Sequence, residues 1–192
     1  MRRSAAAANL CIGLQACGAA SAADTVELNR LAARCAVCHS AETQPTSPLL
    51  EGQPPAYFIA QMRAFREGRR TNPPMVAFAN EFSEQDLSAL AGYYAARQPA
   101  RLDPIDDPAQ IDAGRSKAAA LRCAQCHGPA LQGSTSGAAR LAGQKPRYTA
   151  WSLQLMRSGA RTHGPGPDPL LSDLSNDDIE ALAVWFASLP PR

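Results

Sequence analysis

The 192-residue chain has few of the features that mark nucleic-acid-binding or membrane-spanning proteins. Its formal net charge is only +2 and no basic run lies beside a cluster of aromatic residues, so we expect no nucleic-acid partner. It has no apolar run that could fill the width of a bilayer, so we expect no transmembrane helix. No run alternates apolar and polar residues as strands do, and the pattern favours helices joined by loops.

The N-terminal segment has the pattern of an export signal. Arg2 and Arg3 precede a short apolar stretch over residues 5–14, and an Ala-Ser-Ala cleavage site follows at residues 20–22. This pattern predicts export to the periplasm. The same segment allows an alternative, because Leu-Gln-Ala-Cys ending at Cys17 resembles a bacterial lipobox. A lipidated Cys17 would anchor the protein to a membrane without spanning it.

Four of the six cysteines lie in two copies of Cys-x-x-Cys-His, the attachment signature of c-type haem. The copies comprise Cys35, Cys38 and His39, and Cys123, Cys126 and His127. In this signature the two thiols bond covalently to the porphyrin, and the histidine that follows them is the proximal ligand of the iron. The sequence therefore predicts two covalently bound haem c groups.

Other uses of paired cysteines fit the sequence poorly. Zinc sites built from two Cys-x-x-Cys pairs usually place them about 15–20 residues apart, and Cys38 and Cys123 are much farther apart than that. A thioredoxin-like motif needs a βαβ setting, and the chain has no strand-like run to provide one. Since haem attachment uses all four thiols, we expect no disulfide framework.

The sequence repeats itself once, with one haem motif in each copy. A Leu-x-Gly-Gln segment follows each motif, at residues 50–53 and 141–144. Each segment leads into a helix-like stretch that begins at a tyrosine and is closed by a glycine, over residues 57–68 and 148–159. A repeat of this kind indicates two similar domains.

Each copy ends in an amphipathic helix that opens with a capping-box-like pattern, Ser83 to Asp86 in the first and Ser175 to Asp178 in the second. Helical spacing predicts the following inner faces: Leu87, Leu90, Ala91 and Tyr94, and Ile179, Leu182, Ala183 and Phe186.

A proline-rich and acidic stretch separates the two copies and predicts an extended linker over residues 98–108. We therefore expect a signal segment (1–22), one domain over residues 23–97 and a second over residues 109–192. Upstream of the haem motifs, Asp24 and Asp112 are expected to cap the helices that run to them.

These features together resemble the dihaem cytochrome c4 family. Besides the haem motifs, the resemblance rests on the Pro-x-Leu-x-Gly-Gln pattern at residues 48–53, the Tyr-to-Gly-x-Arg helix ending at Arg70, and the Ser-x-x-Asp helix starts. It extends from about Asp24 to the C-terminus. It implies an all-α fold of two tandem class I cytochrome c domains, each wrapped around one haem c. It also implies an electron carrier between redox proteins such as a membrane oxidase or a dehydrogenase.

The resemblance implies a methionine as the sixth iron ligand, from a loop before the last helix of each domain. In the first domain Met75 occupies that loop, between two prolines and the final helix. Met62 lies on the preceding helix and is interpreted as a core residue. The prediction for the first iron is therefore His39 and Met75.

The second domain departs from this pattern. Its corresponding loop contains His163 and no methionine, which leaves three alternatives for the sixth position. The ligand is His163, the position is open or binds water, or Met156 reaches it from the preceding helix. A second departure is Ala139, which stands where the first domain has Pro48, the residue whose carbonyl holds the proximal histidine in this family.

Two pairs of residues near the predicted sites have open roles. Tyr57 and Tyr148 are expected to pack on haem or to bond a propionate. Arg70 and Arg161 either pair with propionates or lie in solvent. The leading interpretation of the whole is a non-catalytic electron carrier. The alternative is a small-molecule redox enzyme, or a dehydrogenase subunit, that uses an open or His-ligated second haem.

Overall fold

The computed structural model describes residues 22–163 and 169–191, and every regular element in those two ranges is a helix. The first half contains α1 (Ala22–His39), α2 (Pro55–Arg66), α3 (Pro73–Glu81) and α4 (Glu84–Ala95). The second half contains α5 (Pro108–Ala120), α6 (Ala124–His127), α7 (Pro146–Arg157), α8 (Pro169–Ser172) and α9 (Asn176–Ser188). The all-α prediction is confirmed. The predicted export signal and the lipobox at Cys17 lie outside the described residues.

Each half has its own hydrophobic cluster. The first is built by α1 to α4 around residues such as Leu31, Phe58 and Leu87. The second is built by α5, α7, α8 and α9 around residues such as Ala150 and Leu182. One core for each haem motif is what tandem domains require. The boundaries at residues 97 and 109 stay a prediction.

The final helix of each half forms as its sequence predicts. Ser83 caps α4 and Ser175 caps α9, each with a complete capping box to the aspartate three residues on. The middle helices α2 and α7 have equal lengths of 12 residues. The residues predicted for the inner faces of the last helices are all buried: Leu87, Leu90, Ala91, Tyr94, Ile179, Leu182, Ala183 and Phe186.

The predicted caps upstream of the haem motifs were wrong. The cap of α5 is Asp107, whose side chain accepts from the amide of Gln110, and Pro108 begins the helix. Asp112 lies inside α5 and pairs with Arg115 at the surface. An aspartate directly before a proline is the stronger start signal, because the proline ring presets the helical φ and lacks the amide that would need a partner. In the first half Asp24 lies within the first turn of α1 and does not precede it.

Reciprocal hydrogen bonds join the two halves through the repeated glutamines. The Gln53 side chain donates to the Arg140 carbonyl and accepts from the Arg140 amide, both at 3.0 Å. The Gln144 side chain donates to the Leu49 carbonyl at 3.0 Å and accepts from the Leu49 amide at 2.8 Å. Exchanging the halves maps one set of bonds onto the other, as in a symmetric dimer interface. Within the described residues, no helix has the length and hydropathy to cross a membrane.

Candidate haem sites

The first proximal histidine is positioned by the end of α1. His39 is the last residue of the helix, and its ring is only 9% exposed. Its Nδ1 donates to the carbonyl of Pro48 at 2.8 Å. Because a carbonyl can only accept, this bond leaves the Nε2 lone pair for a metal. Burial lowers the pKa of His39, although the bond to Pro48 opposes that shift.

The second proximal histidine has the same burial and the same Nδ1 bond as the first, but it lies on a short helix. His127 ends the short helix α6, is 9% exposed, and donates from Nδ1 to the carbonyl of Ala139 at 2.8 Å. Burial also lowers the pKa of His127, against the bond to Ala139. The change from Pro48 to Ala139 therefore leaves the proximal bond intact, because the acceptor is a backbone carbonyl that either residue provides.

The four motif cysteines form no disulfide. Cys35 packs against the first hydrophobic cluster and Cys123 against the second, whereas Cys38 and Cys126 are exposed. Each half thus holds one half-buried and one exposed thiol beside a buried histidine. The separation of the two pairs into different cores argues against a single four-cysteine zinc site.

The predicted sixth ligand of the first site lies on a helix and not in a loop. Met75 is in the first turn of α3, where the Asn72 side chain accepts from its amide at 3.5 Å. Met75 is partly buried against the first cluster, while Met62 is fully within it. The sequence did not indicate α3, because the two prolines before Met75 were interpreted as loop residues. Prolines at a helix start serve equally well.

His163 lies beside the second proximal histidine. Its ring centroid is 5.8 Å from that of His127, and the two ring planes differ by 18°. Bonds from metals to imidazole nitrogen are about 2 Å long, so two imidazoles on opposite sides of one metal ion have centroids about 6 Å apart. Met156 instead packs against the second cluster, as a core residue does. Part of the predicted ligand loop, residues 164–168, lies outside the described residues.

The two arginines and two tyrosines meet where the halves face each other. Arg161 is 6% exposed, and it donates to the hydroxyls of Tyr57 at 3.0 Å and Tyr148 at 3.4 Å. Arg70 donates to Tyr148 at 3.2 Å, and both guanidiniums donate to the Gln61 carbonyl oxygen. The solvent-exposed alternative for Arg161 was therefore wrong.

Every hydrogen bond described for these two guanidiniums goes to a hydroxyl or amide oxygen and not to a carboxylate. Burial by itself would raise the pKa of Tyr148, but the positive charges of Arg161 and Arg70 outweigh it and lower that pKa to about 7. Buried cations are normally paired with an anion. A group that brings carboxylates to this cluster would complete it, and the two propionates of a haem are such carboxylates.

The residues of each half therefore fit a covalent haem. Each provides two cysteines outside any disulfide, a buried imidazole whose Nδ1 is bonded to a carbonyl, and a cation close to the boundary between the halves. Sequence reasoning missed Gln53 and Gln144 as interface residues. The signal was present, because both copies carry the same Gly-Gln pair. Gln61 and Ser152, which also contact the arginines, had no such signal.

Two c-type haem sites on tandem helical domains define a dihaem c-type cytochrome. The chain is 30% identical over 181 residues to cytochrome c4 of Pseudomonas aeruginosa, covering 88% of this chain and 90% of that protein. It is 32% identical over 183 residues to the thiosulfate dehydrogenase electron acceptor of Stutzerimonas stutzeri, covering 84% and 81%. No family model matches the chain.

A solved structure gives the same assignment. The crystal structure of reduced cytochrome c4 from Pseudomonas stutzeri superposes with a TM-score of 0.74 at 27% identity, covering 86% of this chain and 97% of that one. The chain belongs to the cytochrome c4 family. It is a dihaem electron-transfer cytochrome with two covalently bound haem c groups.

Proposed function

We propose that this protein carries single electrons between redox proteins and is not itself an enzyme. The observation that carries this proposal is the position of His163 beside His127. If imidazoles fill both axial positions of the second iron, no coordination position is left for a small substrate. The alternative, an enzyme that binds its substrate at an open second haem, needs that position empty.

The proposed ligands rest on the haem motifs, on the position of His163 beside His127 and on the donor chemistry of Met75. Cys35 and Cys38 attach the first haem and Cys123 and Cys126 the second. His39 and Met75 would hold the first iron, and His127 and His163 the second. When bound, each haem supplies a one-electron ferric/ferrous couple. Thioether ligation raises a reduction potential, so we expect the first site to be the higher of the two and to attract the electron.

The surrounding residues hold these groups in place. The Nδ1 bonds to Pro48 and Ala139 fix the orientation of both imidazoles and favour the tautomer that binds metal through Nε2. Arg70 and Arg161 would bind propionate carboxylates between the halves. A buried site that hydrogen bonds hold in place needs little rearrangement when its charge changes, which favours fast transfer.

The partners are proposed as a class. One relative is named as the electron acceptor of a thiosulfate dehydrogenase, which supports a periplasmic dehydrogenase as electron donor. A membrane oxidase is the corresponding acceptor class.

We propose soluble export after cleavage near residue 22, with lipidation at Cys17 as the alternative, and domains over residues 23–97 and 109–192. Mass spectrometry of the mature protein distinguishes the two processing routes and counts the haems.

Electron paramagnetic resonance of the fully oxidised protein tests the proposal. We expect two low-spin ferric signals, and we expect His163→Ala to convert one of them to high spin, because its sixth ligand is lost. Met156→Leu is the matched control and leaves both signals unchanged. A high-spin signal in the unmodified protein would mean an open second iron, and the enzyme interpretation would replace the carrier.

A further inference from the structure

The boundary between the halves contains equivalent positions at which the halves differ in charge: Leu49 with Arg140, and Pro54 with Lys145. The residue after each interface glutamine is Pro54 in the first half and Lys145 in the second. Lys145 is only 4% exposed. Its Nζ crosses to the first half and donates to three carbonyls there: Ser40 at 2.5 Å, and Thr43 and Gln44 at 3.2 Å each.

Pro54, the residue of the first half equivalent to Lys145, makes an apolar contact with the second half. Pro54 has no donor, and it packs so closely on the second half that a Cβ added at Gly133 would lie 2.7 Å from its Cγ. The loop after the first haem motif is therefore held by a cation from the other half. The loop after the second motif receives a neutral ring.

The bonds of Lys145 require its charged form. Three carbonyl acceptors take three N–H donors, which only the ammonium group has. Burial lowers the pKa of Lys145, and the carboxylates of Glu42 and Glu51 oppose that shift. The ammonium group also lies at the C-terminal end of α1, where unpaired carbonyls favour a positive charge.

This charge lies on the segment that holds the first proximal histidine. Ser40 follows His39 directly, and residues 40–47 lead to Pro48, whose carbonyl accepts from His39. The second proximal histidine receives no lysine from the other half, because Pro54 takes that place. The buried cation on its segment is Arg140 of its own half, which directly follows Ala139. A positive charge near a metal favours the state that carries the extra electron.

We propose that Lys145 is a positioning residue of the first haem site, which fixes residues 40–47 from the other half and raises the reduction potential of the first haem above what its own ligands set. This inference rests on the proposed function, because it takes His39 as an iron ligand. The charge of Lys145 would add to the difference in reduction potential between the two haems. This contribution does not depend on Met75 or His163.

The test is a redox titration of the intact dihaem protein, with each haem followed by its own low-spin signal. In Lys145→Met and Lys145→Gln we expect the ferrous-to-ferric ratio of the first haem at a fixed potential to fall about tenfold, or about 59 mV. The second haem should move much less. Lys145→Arg should keep the potential of the first haem close to that of the unmodified protein. Arg147→Gln, which removes an exposed charge from the first turn of α7, should change the potential of neither haem.

Hydrogen exchange supplies a second measurement. We expect the amides of residues 40–47 to exchange faster in Lys145→Gln than in the unmodified protein. Equal shifts of both haems, no shift in either, or a shift in Lys145→Arg as large as in Lys145→Met would overturn the inference. A protein that lacks the haem mass on the Cys35 peptide would instead overturn the proposed function.

Discussion

The two halves hold their proximal histidines in the same way on different backbones. In the first half α1 continues without interruption through Cys35 to His39. In the second half α5 ends at Ala120, Arg122 adopts a positive φ of 56°, and a new short helix carries His127. Both histidines are nevertheless 9% exposed, and both donate to a carbonyl at 2.8 Å.

The two halves differ on the side opposite the proximal histidine, because the groups there are side chains, which a substitution replaces. Asn72 in the first half caps the helix that carries Met75, and His163 has the equivalent place in the second, two residues after the matching arginine. A backbone carbonyl survives almost any substitution, whereas a side-chain ligand does not. The comparison teaches that a duplicated domain can keep the bond that orients its proximal histidine, because the backbone provides the acceptor, while the side chains opposite that histidine change.

The largest expected difference between the halves lies at the crossing of α5 and α9. A Cβ at Gly114 would lie 2.0 Å from the carbonyl oxygen of Ala181 and 2.7 Å from the Cβ of Trp185. The equivalent residue of α1 is Val26, which is 69% exposed. We expect Gly114→Ala to lower the free energy of unfolding by about 3 kcal/mol, because the two helices must separate.

Denaturant unfolding of the haem-loaded protein measures this effect. Val26→Ala is the matched control, and we expect a change within about 0.5 kcal/mol because the side chain lies in solvent. Equal losses from the two substitutions would mean that the halves pack their terminal helices alike, contrary to the geometry described above.

Both interface glutamines should contribute to stability. Gln53→Ala removes two hydrogen bonds to the backbone of Arg140, and Gln144→Ala removes two to that of Leu49 and one from the amide of Lys145. Each substitution leaves buried amide and carbonyl groups without their partner, so we expect each to cost about 2 kcal/mol. The measurement is the unfolding midpoint of each variant. A loss from only one of them would contradict the reciprocal interface.

The parts of the fold that local sequence determines were predictable. The haem motifs, the capping boxes at Ser83 and Ser175 and the inner faces of the last helices all follow from fixed spacings. The predictions of the helix starts were wrong where two sequence patterns pointed to different positions. At α5 the Asp107-Pro108 pair outweighs Asp112, and at α3 the prolines before Met75 begin a helix where the sequence suggested a loop.

The contacts between the halves could not be predicted from local sequence. The clamp of Lys145 on residues 40–47 and the meeting of Arg161 with Tyr57 join residues far apart in the chain. No spacing rule relates such residues, because their contact depends on how two folded units dock. The repeated Gly-Gln pair was the one sequence feature that pointed to an interface between the halves, and the hydrogen bonds of Gln53 and Gln144 show its role.

The smallest expected effect concerns the caps of the last helices. Ser83 accepts from the amide of Asp86, and Ser175 from that of Asp178. We expect Ser83→Ala and Ser175→Ala each to destabilise the protein by about 1 kcal/mol at neutral pH, which is typical of a lost N-cap. Thermal unfolding of the two variants checks this equality.

The two caps should contribute differently to the stability of the protein at acidic pH. The pKa of Asp86 is lowered mainly by its bonds to Ser83, whereas that of Asp178 is lowered first by Lys117, at 2.8 Å, and then by Ser175. A lowered carboxyl pKa stabilises the fold above the ordinary value and loses that contribution as the pH falls through the folded value. We therefore expect Lys117→Ala to flatten the loss of stability between about pH 5 and pH 3, through Asp178 alone. A carboxyl titration in which Asp86 moved as far as Asp178 would contradict this difference, because Lys117 pairs with Asp178 and salt screens its charge at the cap of the other half.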